Sequence, residues 1–366
     1  MRPTSLVPWS PVAALAFSAL LLAGCPSTPP EPDDSAPDDS ADPGCAVSNP
    51  PDLACTQAAF DRDYFYFARE AVRAADARVH VIEYLLYDSG LAELLLQELV
   101  AAAERGVEVK VLADEAGDPD TSETISWLRS ASDDAIEAKL DSPDTTTHDK
   151  LIVADDITLV GSHNMSSSSL ADNHESSAYL VDGEVTAFYE AFFQALWADS
   201  DRDPSLTTPP GTEIVPIKNR EIADHLLDCM DGAQEQVRLV MYAISYRQGE
   251  SGAVTDLVNH LVAAHDRGVD VAVVLDQSDW ITDNHINDEV IELFQSRGVP
   301  LRLAEREVTT HAKALRCDGT VIVGDANWSY SSMELYNGTS VQITLPLVTE
   351  QYGEWFDAIW AAGEAP

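Results

Sequence analysis

The chain has 366 residues and is 45% hydrophobic, which is enough apolar content for one large or two smaller buried cores and excludes a chain disordered throughout. Its 21 basic and 63 acidic residues give a formal net charge of −42. Because binding to a phosphate backbone needs a basic surface, this charge argues against nucleic acid as a partner and leaves small or lipid-bound phosphates open as ligands.

The first 25 residues have the composition of an export signal. An apolar run over residues 12–22 carries no charged side chain and is too short to span a bilayer as a permanent helix. The ending Leu22-Ala23-Gly24-Cys25 resembles the lipobox of bacterial lipoproteins, which implies that Cys25 is lipidated. An ordinary signal peptide with a chance cysteine is the alternative. The sequence therefore predicts a protein anchored by lipid in the bacterial cell envelope, facing the periplasm or the exterior.

Residues 26–54 separate this signal peptide, residues 1–25, from the folded part. Their first portion is rich in Pro, Asp and Ser and lacks large apolar side chains, so we expect an extended acidic tether. Cys45 and Cys55 bracket a short loop before the first predicted helix. An oxidising periplasm favours a disulfide between them, which would fix the start of the domain.

The two remaining cysteines lie in regular elements. Cys229 falls in a helical pattern and Cys317 in a strand-like one, and neither has the spacing of a zinc site. We therefore expect both to be buried apolar residues, with a second disulfide as the alternative.

From about residue 56 onward the chain repeats itself at an offset of about 163 residues. Three pairs of segments match, namely residues 78–87 with 236–245, residues 99–114 with 261–276, and residues 185–197 with 348–360. Each half has the same predicted order: a helix, an apolar strand, a second helix ending at a glycine, another strand, a variable loop, a strand pair and an aromatic helix. A period this long indicates duplicated domains, which we place at residues 55–199 and 212–366 with a linker at residues 200–211.

Each copy carries the pattern HxKxxxxD, with a GxxN segment that begins thirteen residues after the histidine. Its members are His148, Lys150, Asp155, Gly161 and Asn164 in the first copy and His311, Lys313, Asp318, Gly324 and Asn327 in the second. An HxK spacing places both side chains on one face of a strand, so an imidazole and an ammonium point into the same cleft. The following Gly and Asn predict a turn whose N–H groups and amide can face an anion.

This doubled pattern is similar to the signature of the phospholipase D superfamily, over the chain from about Cys55 onward. The resemblance implies an α/β fold of two tandem domains, each a mixed β-sheet flanked by helices, packed as a pseudo-dimer with one shared active site. It also implies phosphodiester cleavage through a phosphohistidine, without metal or cofactor. The catalytic residues would be His148, Lys150, His311 and Lys313.

The same resemblance implies further roles around these four residues. Ser162, Asn164 and Asn327 would bind or orient the phosphate, and Asp155 and Asp318 would be structural. Since a carboxylate that orients an imidazole favours its role as nucleophile, Glu175 is predicted to orient His148. His311 would then protonate the leaving alcohol, and the opposite assignment is the alternative.

The second half departs from the family pattern at two positions. The segment Asn173-His174-Glu175 matches Asn337-Gly338-Thr339 by its asparagine, so the second half lacks the orienting carboxylate there, although Glu334 could replace it. Asp325 stands where the first half has Ser162. A carboxylate beside a phosphate is unfavourable unless it faces away, is protonated or meets a cation.

The leading expectation is a phospholipase D-type phosphodiesterase that hydrolyses phospholipids at the membrane to which its lipid anchor holds it. A phosphatidyl transferase of the cardiolipin synthase kind is the first alternative, because its chemistry is identical up to the acceptor. A nuclease of the same superfamily follows, and then a non-catalytic lipoprotein that binds phosphate-bearing ligands. The sequence indicates no protein partner.

Overall fold

The computed structural model describes residues 53–115, 119–209 and 213–366, all of which belong to one compact unit, Cys45–Pro366. The predicted signal peptide, Cys25, Cys45 and nearly all of the tether lie outside the described residues. Within the described ranges, no helix has both the length and the apolar character needed to cross a membrane.

The described residues of the first half form seven strands and five α-helices. In chain order these are β1 (Gln57–Phe60), α1 (Asp63–Ala74), β2 (Arg78–Glu83), α2 (Gly90–Glu104), β3 (Glu108–Ala113), α3 (Pro119–Ala131), β4 (Glu137–Leu140), β5 (Lys150–Ala154), β6 (Ile157–Gly161), α4 (Ser167–Ala171), β7 (Ser176–Val181) and α5 (Gly183–Ala198).

The described residues of the second half form seven strands and six α-helices. These are β8 (Ile214–Lys218), α6 (Ile222–Gly232), β9 (Gln236–Met241), α7 (Ala253–Asp266), β10 (Asp270–Leu275), α8 (Asp279–Asp283), α9 (Asp288–Arg297), β11 (Leu301–Leu303), β12 (Lys313–Cys317), β13 (Thr320–Gly324), α10 (Tyr330–Glu334), β14 (Thr339–Ile343) and α11 (Pro346–Ala362). One turn of 3-10 helix, Asn219–Glu221, precedes α6.

The two sheets have the same strand order, as a duplication requires. The first runs β1-β7-β6-β5-β2-β3-β4, and the second, taken in the equivalent direction, runs β8-β14-β13-β12-β9-β10-β11. The last three strands of each order pair in parallel and the others pair antiparallel. Helices α2 and α7 provide the crossovers that parallel neighbours need. The predicted variable loops contain α3 and β4 in one half and α8, α9 and β11 in the other.

A glycine ends the crossover helix in each half. Gly106 follows α2 with φ +91° and Gly268 follows α7 with φ +90°, a left-handed conformation that L side chains rarely adopt. In both halves this turn leads directly into the next parallel strand. The sequence pattern of a helix ending at a glycine therefore marks the true helix ends.

A shared apolar core joins the two halves. The closing helix of the first half contributes a buried aromatic stripe. Its members and the second-half side chains in the same cluster are Phe188, Tyr189, Phe192, Phe193, Ile214, Ala314, Val321, Val323, Val341, Ile343, Val348 and Tyr352. Burial of these side chains stabilises the pairing of the halves by removing apolar area from water.

Two tyrosines tie the halves together reciprocally. The hydroxyl of Tyr189 on α5 donates to the backbone oxygen of Ser340 on β14, at 2.5 Å. The hydroxyl of Tyr352 on α11 donates to the backbone oxygen of Ser177 on β7, at 2.9 Å. The closing helix of each half therefore binds the sheet of the other, which confirms the predicted pseudo-dimer.

The described cysteines are disulfide-bonded. Cys229 on α6 and Cys317 on β12 are joined, with their Cα atoms 5.8 Å apart, so the expectation of two free thiols is wrong and the alternative disulfide is right. The reason is that α6 packs against β12, which brings the two side chains together. Cys55 is also disulfide-bonded. Its predicted partner, Cys45, lies outside the described residues.

Candidate active site

Each predicted catalytic lysine begins a strand of its sheet. Lys150 is the first residue of β5 and Lys313 the first of β12, two residues after the motif histidines. The ammonium of Lys150 donates to the backbone oxygen of His148 at 2.5 Å, and that of Lys313 donates to the backbone oxygen of His311. The imidazole and ammonium of each pair therefore lie together, as the spacing predicts.

The backbones of the two histidines are held by the opposite half. The amide of His148 donates to the backbone oxygen of Asn337 at 2.9 Å, and the amide of His311 donates to that of His174 at 2.8 Å. Short parallel bridges between Thr147 and Asn337 and between His174 and Thr310 accompany these bonds. Both histidines therefore lie at one interface, where the pseudo-dimer arrangement places them.

Glu175 binds His311 and not His148. Its two carboxylate oxygens accept from Nδ1 of His311 at 3.0 and 3.1 Å. The prediction that Glu175 orients His148 is therefore wrong. The backbone bond between His174 and His311 explains this, because it places the next residue, Glu175, beside the imidazole of the opposite half.

Three side chains of the first half fix the position of Glu175. Ser162 and Ser169 donate their hydroxyls to its carboxylate at 2.5 and 2.6 Å, and the amide of Asn173 donates at 3.3 Å. Ser162 is fully buried. Ser162 is predicted to bind or orient the phosphate. In the structure its hydroxyl orients Glu175.

The environment of this pair favours a neutral imidazole beside an ionised carboxylate. Burial lowers the pKa of His311 to about 4, and the nearby Lys313 acts in the same direction. Burial alone would raise the pKa of Glu175, but His311, His163 and Lys313 lower it well below its usual range. A neutral His311 that donates from Nδ1 has its second ring nitrogen, Nε2, unprotonated.

His148 is also held neutral but is supported differently. Burial lowers its pKa well below the usual value, and the charges of Lys150, Lys313 and His311 add to the effect. The backbone oxygen of Asp325 opposes this shift. Among the residues that the structure describes, none makes a hydrogen bond to Nδ1 of His148, although this atom is buried.

Two tyrosines complete the half-sites and were not singled out from the sequence. The ring of Tyr84 lies 4.6 Å from that of His148, and the ring of Tyr242 lies 4.7 Å from that of His311. The ammonium groups of the neighbouring lysines lie over the same rings, at 4.9 and 5.0 Å. A signal was present, because the matching segments RVHVIEY and QVRLVMY both end in this tyrosine.

The motif asparagines follow β6 and β13 at equivalent positions. The side-chain oxygens of Asn164 and Asn327 are both buried, and neither finds a hydrogen-bond partner within the described ranges. The fold therefore does not engage these oxygens. An amide oxygen accepts hydrogen bonds and does not bind a phosphate oxygen, so the predicted phosphate contact would come from the Nδ2 group of each side chain.

The motif aspartates have a structural role. Asp155 accepts from the backbone amides of Asp76, Ala77 and Arg78, and it lies at the opposite end of β5 from the catalytic lysine. Asp318 makes the equivalent bonds to the amides of residues 234–236. These bonds fix the turn before β2 or β9, which agrees with the predicted structural role.

The structure corrects the alignment of the two halves at the orienting carboxylate. The amide of Ser162 donates to Ser176 and that of Asp325 donates to Thr339, so Ser176 is equivalent to Thr339. Glu175 is therefore equivalent to Gly338, one residue earlier than matching the asparagines suggests. Glu334, proposed as a replacement, lies exposed at the end of α10 and does not serve as one.

The histidines outside the motif have structural contacts. His163 is buried and binds the hydroxyl of Ser177 and the backbone oxygen of Asp61. His174 contributes its backbone to the interface. Across the described ranges, no three His, Cys, Asp or Glu side chains come together in a group that could hold a metal ion.

Comparisons with known proteins match both halves of the chain to one family. Residues 69–197 and 226–360 match the family described as "Cardiolipin synthase, PLD-like domain", one match in each half and together more than half of the chain. Cardiolipin synthase A of Yersinia pseudotuberculosis is 22% identical over 320 residues, which cover 77% of this chain and 63% of the relative. The same protein of Yersinia pestis gives the same values. The chain thus spans 63% of the length of these curated relatives.

Solved structures support the same fold. Phosphatidylserine synthase from Haemophilus influenzae superposes with a TM-score of 0.68 and 13% identity, covering 86% of this chain and 88% of that one. Polyphosphate kinase from Porphyromonas gingivalis gives a TM-score of 0.60 and 13% identity, covering 84% of this chain and 50% of that one. At these identities the likeness concerns the fold alone. With the family match to both halves, the duplicated sheets and the paired histidines and lysines, this chain belongs to the phospholipase D superfamily.

Proposed function

We propose that the protein is a phosphatidyl transferase of the cardiolipin synthase kind, which moves a phosphatidyl group from a glycerophospholipid to an alcohol. The observation that carries the proposal is the bond between Glu175 and His311, which prepares one imidazole for attack beside a second imidazole. The sequence favours hydrolysis, whereas the synthase relatives favour transfer. We therefore place transfer first and hydrolysis, with water as acceptor, second.

His311 is the nucleophile in this mechanism, which is the alternative assignment of the two histidines. Its Nε2 attacks phosphorus while Glu175 stabilises the positive charge that develops on the ring. The bond from phosphorus to the leaving oxygen breaks, and that oxygen takes a proton from His148. An acceptor hydroxyl then returns a proton to His148 and attacks phosphorus, which releases His311.

His148 must carry a proton to act as the acid in the first step. Its pKa is lowered by burial and by the two lysines in the ligand-free site. An anionic phosphodiester bound between Lys150 and Lys313 offsets those positive charges and raises the pKa of both the imidazole and the lysines. Substrate binding itself thus prepares the acid.

The lysines and asparagines stabilise the negative charge on the phosphate. Lys150 and Lys313 are almost fully buried, so their charges act in a medium of low polarity. Burial lowers the pKa of Lys313 to about 7, which an anionic ligand reverses. The amides of Asn164 and Asn327 would donate to the non-bridging oxygens.

Aromatic rings beside the histidines support transfer over hydrolysis. Tyr84 and Tyr336 lie against His148, and Tyr242 lies against His311. Trp280 stacks on Tyr242 with ring centroids 5.7 Å apart and is 56% exposed, so it extends the apolar wall towards solvent. Such walls restrict access of water to a phosphoenzyme.

Location at a membrane is part of the proposal. A lipid attached at Cys25 and an acidic tether would hold the enzyme at the surface of the bacterial cell envelope that contains its phospholipid substrate. The sequence of residues 1–44 supports this placement.

The full chain should be incubated with vesicles of phosphatidylglycerol and, separately, with phosphatidylcholine vesicles plus a primary alcohol. Transfer predicts cardiolipin in the first case and the phosphatidyl alcohol in the second, both in excess over phosphatidic acid. A His311→Gln variant is the matched inactive control. Phosphatidic acid as the sole product would establish hydrolysis, cleavage of single-stranded DNA alone would establish a nuclease, and binding without turnover would indicate a binding lipoprotein.

A further inference from the structure

We propose that Asp325 replaces in the second half the carboxylate that Glu175 provides in the first, and that it is the positioning residue of His148. This inference rests on the two-histidine mechanism of the proposed function. In the first half the carboxylate, Glu175, stands directly before β7. The second half has Gly338 directly before β14, and its acid, Asp325, directly follows β13.

The backbone register shows which residue should face His148. Because His311 bonds to the backbone of His174, the following Glu175 lies beside the imidazole of His311. His148 bonds in the same way to the backbone of Asn337. The residue that follows Asn337 is Gly338, so the position beside His148 has no side chain of its own.

The carboxylate of Asp325 fills the space that a side chain at Gly338 would take. A Cβ atom at Gly338 would lie 2.8 Å from Oδ1 and 3.0 Å from Oδ2 of Asp325. Distances this short exclude a larger residue at 338 while Asp325 is present. In the first half the relation is inverted, since the small Ser162 accompanies the long Glu175. The first half therefore has the pair Ser162 and Glu175, and the second half has the pair Asp325 and Gly338 at the equivalent positions.

Asp325 also lies near His148 and Lys150. Its backbone oxygen raises the pKa of His148, whereas its carboxylate makes no hydrogen bond to that imidazole, whose buried Nδ1 lacks a partner among the residues described. Its negative charge acts on Lys150, as that of Glu175 acts on Lys313. The carboxylate is fixed by the amide of Thr339, which donates to Oδ2 at 2.9 Å.

A second buried carboxyl, Asp149, decides the charge state of the pair. Both oxygens of Asp149 are buried and lack a hydrogen-bond partner within the described part of the chain. Burial and the proximity of Asp325 raise the pKa of Asp149 well above its usual value. Two carboxyls this close share one proton. The charge of Lys150 lowers the pKa of both carboxyls. Asp325 also accepts from the backbone amide of Thr339, which favours Asp325 as the ionised member.

Other charged and titratable groups near Asp325 come from both halves. Lys150 follows from β5, Lys313 from β12 and the hydroxyl of Tyr189 from α5. Burial raises the pKa of Asp325 to about 7, and the two lysines oppose this shift by stabilising the ionised carboxylate. In the proposed arrangement, the carboxylate that serves His148 therefore stands on a side chain one methylene shorter than that of Glu175, which serves His311.

The test compares four full-length proteins: the wild type, Asp325→Ser, Gly338→Glu, and the double variant that recreates the Ser and Glu pair of the first half. Each is assayed on a phosphatidyl ester with an alcohol leaving group and on one with p-nitrophenol. A p-nitrophenolate leaves without a proton, so its release in the first turnover, before the phosphoenzyme is resolved, does not need His148. The rate of this first turnover is therefore the quantity compared for the two esters. Asp325→Asn, which keeps the shape of the side chain, replaces Asp325→Ser if that variant does not fold.

We expect Asp325→Ser to slow the alcohol ester about 100-fold and the p-nitrophenyl ester only slightly. The double variant should recover the alcohol ester, and Gly338→Glu alone should lower the melting temperature because it clashes with Asp325. Equal slowing of both esters, or no slowing of either, would overturn the proposal. So would a folded double variant that is as slow as Asp325→Ser.

A substrate-free measurement separates this inference from the proposed function. Ring ¹⁵N shifts report the tautomer of His148 at neutral pH, and His148→Gln assigns the signal. The wild type and the double variant should hold a single tautomer with the proton on Nδ1, and Asp325→Ser should show a mixture. If no variant turns over either ester, the proposed function fails while this result still decides the role of Asp325. An unchanged tautomer in Asp325→Ser would overturn that role.

Discussion

Glu175 and His311 belong to opposite halves of the chain and are joined by two hydrogen bonds of 3.0 and 3.1 Å. The imidazole of His311 is therefore oriented across the interface. Neither half contains this arrangement alone. A catalytic nucleophile built this way exists only when the two halves have docked.

Removal of that carboxylate should stop formation of the phosphoenzyme. Glu175→Gln is expected to lower the rate of phosphorylation by about 100-fold or more, because the tautomer and the charge of His311 lose their support. Quenching turnover of labelled substrate in alkaline denaturant and mapping peptides would locate the label. We expect it on the peptide that contains His311 and much reduced in the variant. Glu334→Gln, which changes an exposed acid, is the control, and label on His148 would reverse the assignment.

The lysines should be essential and a divalent metal should not. Lys150→Met or Lys313→Met is expected to lower kcat/KM by about 100- to 1000-fold, because a buried positive charge on the phosphate is lost while the side-chain volume is nearly kept. A chelator should leave the wild-type rate unchanged. The melting temperature controls for folding. Activity that disappears with chelator and returns with a divalent ion would contradict the mechanism.

Trp280 should influence the choice between alcohol and water. Because it is exposed and stacks on Tyr242, Trp280→Ala is expected to open the site and raise the ratio of phosphatidic acid to transfer product several-fold. The total rate of phosphoenzyme formation should change little. Tyr330→Ala removes another exposed aromatic ring and provides the matched control. An unchanged product ratio would place Trp280 outside the path of water.

The neutral imidazole of His311 should make the fold sensitive to mild acid. Its pKa is about 4 when folded, against 6.5 for an ordinary histidine, so the unfolded chain binds more protons between these pH values. This group therefore lowers the free energy of unfolding as pH falls from 6.5, by about 3 kcal/mol at pH 4. Glu175 stays ionised in both states down to about pH 5. Denaturant unfolding at pH 7, 6 and 5 should show a shallower decline for His311→Gln than for the wild type or for His285→Gln, a change at the surface.

The disulfide between Cys229 and Cys317 should stabilise the second half. It closes a loop with a sequence separation of 88 residues, for which the chain-entropy relation gives about 4.6 kcal/mol. Replacing both cysteines by alanine should lower the free energy of unfolding by a comparable amount and leave the rate of transfer unchanged at low temperature. Denaturant titration measures the first and product analysis the second. A double variant as stable as the wild type would show that the bond contributes nothing.

The catalytic pairs could be predicted because the HxK spacing within each motif occurs twice, at the same offset as the repeat of the two halves. An HxK pattern in register with its own repeat identifies His148, Lys150, His311 and Lys313, and the strand period explains why each pair shares a face. The duplicated order of elements predicts two similar sheets for the same reason. The packing of the aromatic closing helix follows from its helical spacing.

Contacts across the interface could not be obtained in this way. Local patterns do not state which half supplies the carboxylate that orients a histidine. The sequence alone therefore places Glu175 with His148, the histidine of its own half. The equivalence of Glu175 with Gly338 was within reach, because the constant offset of 163 residues between His148 and His311 leads to it. Aligning Asn173 with Asn337 instead pairs Glu175 with Thr339, so the relation between Gly338 and Asp325 is missed. Cysteine connectivity likewise depends on packing that spacing does not encode.

The exchange of Ser162 and Glu175 for Asp325 and Gly338 has a consequence for how such a site can diverge. In an assembly of two identical subunits every substitution would enter both half-sites at once, and neither histidine could be adjusted without the other. Joining the halves in one chain removes that symmetry. The nucleophile can keep its long carboxylate while the acid receives a shorter one, so covalent linkage permits a division of labour that a homodimer cannot reach by single mutations.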